Sequence, residues 1–252
     1  MDSSKKVAIV TGATGGIGKA TALRLAHDGM SVVVHYRSRE PEARQLLQAL
    51  PGQEHLAVKA DLATSDDALS LIEKTHEKYG RIDVLVNNAG IYEHHKIEEL
   101  DYNNWQRAWN RTLQVNLLGP MNLVFGAVQH MIGKNPGKII NITSRGAFRG
   151  EPKAPAYGAS KAALNSASQS LAKVLAPHGI MVYAIAPGWV DTDMAKDYLQ
   201  GPLGDEIRSQ SPLGRVADPE EIANLISFLA GEGTDYLTGA IIDANGASYL
   251  RT

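Results

Sequence analysis

Short apolar runs alternate with amphipathic stretches along the whole chain, and no other feature restricts its fold as severely. Runs at 7–11, 31–36, 55–60, 83–87, 138–143, 181–185 and 240–243 are short and mostly β-branched, as strands are. Val32-Val33-Val34 and Val84-Leu85-Val86 are apolar without alternation, which fits strands buried on both faces. The intervening stretches carry apolar residues three and four apart, for instance Ala22, Leu23, Leu25 and Ala26, or Ala68, Leu69 and Ile72 with His76. That is the spacing of an amphipathic helix. The repeated order of strand and helix predicts the α/β class, with a doubly wound, seven-stranded parallel sheet covered by helices on both faces.

A chain of 252 residues can bury a sizeable core without a metal or disulfide staple. No composition shift, repeat or low-complexity tract divides it, so a single domain, 1–252, is expected. Within it the alternation lapses at 189–216, where Gly201-Pro202, Gly204, Pro212 and Gly214 punctuate a segment too long for an ordinary connection. Such segments are often substrate lids. The absence of cysteine removes thiol nucleophiles, disulfides and Cys-type zinc sites, and points to a cytoplasmic protein. With 25 Lys and Arg against 27 Asp and Glu the net charge is −2, which argues against nucleic acid as a partner. No stretch approaches the ~18 apolar residues of a membrane span. The opening Met1-Asp2-Ser3-Ser4-Lys5-Lys6 reads as lacking a targeting signal. A soluble protein with no membrane partner is therefore expected.

Directly after the first apolar run comes Thr11-Gly12-Ala13-Thr14-Gly15-Gly16-Ile17-Gly18-Lys19, followed by a helical pattern. A phosphate reaches the backbone only where no Cβ intervenes, and the N–H groups that open a helix carry partial positive charge. Gly12, Thr14, Gly16, Ile17 and Gly18 are thus candidates to cradle a pyrophosphate, although the G-x3-G-x-G spacing departs from the more familiar G-x-G-x-x-G. The second run ends Val34-His35-Tyr36-Arg37-Ser38-Arg39. An acidic residue there would accept from a ribose 2′-hydroxyl, whereas Arg holds a 2′-phosphate. Arg37 and Ser38 favour NADP(H), with NAD(H) still possible; Arg39 is given no such role.

Tyr157 and Lys161 stand four apart in an Ala-rich stretch preceded by Pro155, and on a helix they share a face. A phenol of pKa ~10 needs help to act near neutrality, and an ammonium at ~5 Å supplies about 3 kcal/mol at an effective dielectric of ~20. Ser144 closes the preceding strand in Asn141-Ile142-Thr143-Ser144, at the end of a parallel strand where ligands bind. Its hydroxyl can donate to a carbonyl oxygen that gains charge while Tyr157 delivers a proton.

In these motifs, taken in order, the chain resembles the short-chain dehydrogenase/reductase family over essentially its whole length, and in general character its 3-oxoacyl-acyl-carrier-protein reductases. The resemblance implies a single-domain Rossmann fold, a catalytic set of Asn116, Ser144, Tyr157 and Lys161, and no metal. Asn116, in Gln114-Val115-Asn116, would hold a helix bulge and a water that links Lys161 to solvent. Asp61-Leu62 would contact the adenine, and Asn88-Ala89-Gly90, within Asn87-Asn88-Ala89-Gly90, would close the fourth strand beside the cofactor. Pro187-Gly188, Val190 and Thr192 would meet the nicotinamide carboxamide. Tyr157 and Lys161 would also touch the cofactor, Lys161 at the nicotinamide ribose. The implied reaction is hydride transfer between a nicotinamide and a carbonyl or secondary alcohol of a small molecule, in a ketone or 3-oxoacyl reductase. A sugar or polyol dehydrogenase with NAD or NADP is the alternative, and a non-catalytic nucleotide sensor a third reading. Relatives are commonly homotetramers, and Ala159, Ala163, Ala167 and Ser170 would let the Tyr157 helix pack against its mate. Asn245-Gly246-Ala247 departs from relatives that carry two glycines after the Asn.

By the same resemblance the substrate pocket draws on Ile91, Tyr92, Arg145, Phe148, Arg149, Trp189, Met194 and Tyr198. Arg145 or Arg149 could pair with an anionic group, while Phe148 and Trp189 suggest apolar contact. His94-His95 does not make a metal site, since adjacent side chains diverge and no third ligand is visible. Asp191 and Asp193 read as a turn or helix cap, and Trp105 and Trp109 as core packing.

Overall fold

The computed structural model describes residues 5–52 and 54–251, and the expectation drawn from Met1 to Ser4 lies outside them. Seven strands appear in it: β1 (Val7–Val10), β2 (Ser31–Tyr36), β3 (Leu56–Lys59), β4 (Val84–Asn87), β5 (Gly137–Ile142), β6 (Ile180–Pro187) and β7 (Ile241–Ala244). They form one parallel sheet in the order β3-β2-β1-β4-β5-β6-β7, as the alternation predicts. The strand order reverses between β1 and β4, which opens a crevice at the carboxyl ends of those strands.

The connections run through α1 (Gly16–His27), α2 (Glu40–Ala49), α3 (Ser65–Tyr79), α4 (Tyr102–Leu113), α5 (Gly119–Met131), α6 (Gly146–Arg149) and α7 (Pro155–Leu175), then α8 (Asp193–Gln200), α9 (Gly204–Ser209) and α10 (Pro219–Ala230). A π-helical turn, Gln114–Leu118, joins α4 to α5. Alternate residues of β1 serve opposite faces. Ala8 and Val10 pack with α1, α2 and α10, while Val7 and Ile9 pack with α3, α5 and α7. Each fully buried aliphatic side chain in these two layers contributes roughly 1.5–3 kcal/mol.

Three local differences from expectation have physical causes. β3 begins at Leu56 rather than at His55, because the His55 ring turns aside: Nδ1 accepts from the Val32 amide at 3.0 Å and Nε2 lies 3.0 Å from the Pro51 carbonyl oxygen. β6 continues to Pro187 because β7 pairs with it as far as Ala244. Trp105 and Trp109 lie outside the core; they are half-buried on α4, their rings 5.3 Å apart, with Trp109 edge-on to His95. Residues 189–216 carry α8 and α9 around a small apolar cluster of Ala195, Leu199 and Ile207.

The departure at Ala247 has a backbone consequence. Its φ is +56°, in the left-handed region where a Cβ costs about 1–2 kcal/mol. Ala247→Gly is expected to raise stability by about 1 kcal/mol or slightly less, since glycine gives back part of the gain as unfolded-state entropy. Urea denaturation checks this through a higher midpoint at unchanged slope.

Candidate active site

A cavity of about 610 Å³ lies over the carboxyl ends of the strands at the crevice. Of the expected phosphate residues, Gly12, Thr14, Gly16 and Ile17 line it, as do Arg37, Ser38, Asp61 and Leu62 toward β2 and β3. Asn88, Ala89 and Gly90 line it after β4, and Ser144, Tyr157 and Lys161 after β5. Pro187, Gly188, Val190 and Thr192 complete the far wall. Gly18 and Asn116 stand behind the wall instead, and their contributions are indirect.

The glycine turn owes its shape to neighbours. Gly12 and Gly16 have φ of +63° and +48°, which side-chain-bearing residues rarely adopt. A Cβ on Gly16 would lie 2.7 Å from Thr192 Cγ2, and one on Gly18 would lie 2.2 Å from the Gly12 carbonyl oxygen. Gly18 therefore lets α1 close against the turn. The Thr11 hydroxyl accepts from the Asn88 and Ala89 amides, both at 2.9 Å, and Asn88 Nδ2 donates to the Thr11 carbonyl at 2.8 Å. Asn88 thus stitches the turn to the end of β4. Arg37 is exposed at the cleft edge and, among the described residues, has no hydrogen-bond or ion-pair partner. Arg39, given no role from the sequence, also lines the cleft and pairs with Asp193 of α8 at 2.7 Å.

Around Tyr157 the support is polar and buried. Asn87 Nδ2 donates to Asn141 Oδ1 at 2.8 Å, and Asn141 Nδ2 donates to Ser168 Oγ at 2.9 Å, which ties β4, β5 and α7 together. The Ser144 hydroxyl, which accepts from the Gly146 amide at 3.0 Å, shares the cavity floor with the Tyr157 phenol. Lys161 Nζ donates to the Ile142 carbonyl at 2.8 Å. Asn116, in the π-helical turn, exchanges hydrogen bonds of 2.8 and 2.9 Å with the backbone of Ile91. A Cβ on Gly90 would lie 3.3 Å from Asn116 Oδ1 and 3.5 Å from Lys161 Nζ, so that glycine lets Asn116 and Lys161 approach the cleft together.

The charges differ from the simple expectation. Burial pushes the Tyr157 phenol up to about 12, the bond from Ser144 pulls against that, and the Glu151 carboxylate adds to the rise. Burial pushes Lys161 down to about 8. Its Nζ is 5.8 Å from the Tyr157 ring centre. Burial therefore works against the charged form of both side chains.

On the substrate side Ile91, Tyr92, Trp189, Met194 and Tyr198 line the cavity, and Tyr92 stands edge-on to Tyr157 with ring centres 4.9 Å apart. Phe148 does not line it; its ring carries the Arg251 guanidinium at 4.4 Å. Neither expected arginine is presented as a free cation. Arg149 pairs with Glu151 at 3.6 Å, and Arg145 is buried, hydrogen-bonded to Gln210 and pushed down to about 10 chiefly by that burial. The adjacent histidines serve separate partners. His94 Nε2 meets the Tyr198 hydroxyl at 3.0 Å, while His95 Nε2 accepts from the Ala156 amide at 2.9 Å and so caps the first turn of α7.

A nucleotide-shaped cleft at the strand reversal, with a phenol and a serine hydroxyl at its floor, defines a dinucleotide-dependent oxidoreductase. The family model described as enoyl-(acyl carrier protein) reductase matches residues 12–246. The 3-oxoacyl-acyl-carrier-protein reductase FabG of Staphylococcus epidermidis is 34% identical over 97% of this chain and 99% of its own. The 3-oxoacyl-acyl-carrier-protein reductase of a Synechocystis strain is 38% identical over 97% of each chain. A short-chain dehydrogenase from Burkholderia cenocepacia, solved in complex with NADP, superposes with a TM-score of 0.89 at 31% identity, covering 96% of this chain and 97% of its own. The chain belongs to the short-chain dehydrogenase/reductase family.

Because a Cβ at residue 18 would collide with a backbone oxygen rather than a flexible side chain, Gly18→Ala must displace either α1 or the turn. Dinucleotide affinity is expected to fall at least about tenfold, the equivalent of one or two lost hydrogen bonds. A titration followed by nucleotide fluorescence measures it.

Proposed function

We propose that this protein is an NADPH-dependent ketone reductase acting on 3-oxoacyl-type substrates. The observation that carries the reading is that Ser144, Tyr157 and Lys161 line the same cleft as the glycine turn. The residues fit the dinucleotide: Gly12 and Gly16 bring bare backbone to the cleft wall, and Arg37 offers an unpaired guanidinium where a 2′-phosphate would lie. When bound, NADPH supplies the hydride. Ser144 orients and polarises the substrate carbonyl, and Tyr157 gives its proton to the oxygen as negative charge develops there. Lys161 holds the nicotinamide ribose, and Asn116 keeps the wall behind Lys161 in place for resupply of the proton.

The names of the Staphylococcus and Synechocystis relatives support a 3-oxoacyl substrate, and the apolar side chains of Ile91, Trp189 and Met194 suit an acyl chain. The segment 189–216 would act as the lid, with Arg39 and Asp193 joining it to the cofactor side. A homotetramer is supported by the outward face of α7, where Ala159 and Ser170 are exposed and Ala163 and Ala167 half-buried. No helix among the described residues is long and apolar enough to cross a membrane, in keeping with a cytoplasmic setting.

NADPH consumption with a panel of acyl thioesters, sugars and simple ketones tests the substrate class, with the 3-oxoacyl thioesters expected to react fastest. Tyr157→Phe is expected to lower turnover at least ~10²-fold while NADPH affinity stays within about threefold; comparable turnover would remove the proposed acid. Arg37→Glu places a carboxylate where the 2′-phosphate would lie. It is expected to lower the NADPH/NADH preference in kcat/KM by at least about tenfold, and an unchanged ratio would dismiss Arg37 as the selector.

A further inference from the structure

His35, the penultimate residue of β2, is 2% exposed, and both of its ring nitrogens are engaged. Nδ1 lies 3.0 Å from the Gly12 backbone nitrogen, and Nε2 lies 3.1 Å from the Ala60 carbonyl oxygen. A carbonyl can only accept and an amide N–H can only donate. Nε2 therefore carries the proton and Nδ1 is bare, which fixes the neutral ring in one tautomer. The backbone reinforces the contact, since the His35 carbonyl accepts from the Ala13 amide at 3.0 Å. One residue thus grips the phosphate turn by two bonds and the end of β3 by a third.

We propose that His35 is a positioning residue of the dinucleotide site, an uncharged imidazole that couples the turn at Gly12 to the wall formed by Asp61 and Leu62. The proposal rests on the nucleotide reading of this cleft. Gly12 has a left-handed backbone, and the amide of such a residue finds its acceptor here in the imidazole rather than in a strand carbonyl. Without that acceptor the turn loses the bond that fixes its direction, and the half-buried donor is left unpaired.

Protonation has the same effect as deletion, because a proton on Nδ1 would face the Gly12 N–H. Burial holds the ring below the usual histidine range, against opposing pulls from the Ala60 carbonyl and from Asp61, the charged group that acts on it. The sign follows from linkage. A ring released from the clamp takes up a proton near pH 6.5, while the clamped ring resists, so the clamp is at full strength above that pH and weakens as pH falls below it.

The test uses the full chain and NADPH, with affinity read from nucleotide fluorescence. His35→Leu is expected to raise Kd about tenfold or more, with kcat at saturating NADPH changed less than about threefold. His35→Asn, whose Oδ1 can take the place of Nδ1 as acceptor, is expected to hold Kd within about threefold of wild type. His35→Gln extends toward Ala60 instead and is expected not to rescue. Between pH 7.5 and 5 wild-type affinity should fall more steeply than that of His35→Asn, both sharing the titration of the 2′-phosphate. Equal affinity of wild type and His35→Leu would overturn the proposal, as would superimposable pH profiles of wild type and His35→Asn. If the Leu variant does not fold, the Asn and Gln variants decide, and equal affinities of those two overturn it. A wild-type protein that binds no NADPH would overturn the nucleotide reading itself, and this proposal with it.

Discussion

Backbone groups at the carboxyl ends of parallel strands run out of ladder partners, and the working geometry of this protein depends on how they are satisfied. Side chains from adjacent strands supply the missing bonds. Thr11 accepts two amides from the segment after β4, Asn88 returns a donor to the turn after β1, and His35 reaches from β2 to that same turn. Asn116 does the equivalent for Ile91, from a π-helical turn that carries its side chain to the segment after Gly90. Each bond is worth little alone, on the order of 1 kcal/mol, but leaving one of these groups buried and unpaired costs more. The cleft wall is thus tied together by side-chain bonds between strand ends, while α8 is joined to the β2 side by the exposed pair of Arg39 with Asp193.

Much of this could be read from the sequence because it is local. Continuous apolar runs such as Val32-Val33-Val34 disclose strands buried on both faces, and the Gly12 to Gly18 turn and the Tyr157–Lys161 pair each lie within one short window. What escaped depends on partners brought together by folding. Arg39 and Asp193 are 154 positions apart, Asn87 and Asn141 are 54 apart, and His95 meets Ala156 across 61. No periodicity reports such pairs. His35 did leave a trace, as an imidazole interrupting the apolar run before Tyr36. A polar residue at the inner end of a buried strand must find a partner. Phe148 misled for the opposite reason: its bulk suggested an apolar pocket, but α6 is a single turn that places the ring against Arg251.

The electrostatics of Tyr157 and Lys161 bear on the protonation state of the phenol. Sequence spacing suggests an ammonium close enough to acidify the phenol, yet burial acts on both groups and favours the uncharged form of each. Lys161 directs its Nζ to the Ile142 carbonyl rather than to Tyr157, and Glu151 adds negative charge on the substrate side. Burial thus favours the protonated phenol, the form that can donate to a carbonyl oxygen. Oxidation of an alcohol would require that proton to leave first, and burial, with the Glu151 carboxylate, opposes this. A positive charge delivered with the oxidised nicotinamide would offset part of that opposition. A reduced, neutral ring would bring no such offset, so burial would favour the protonated phenol more strongly with the reduced nucleotide than with the oxidised one.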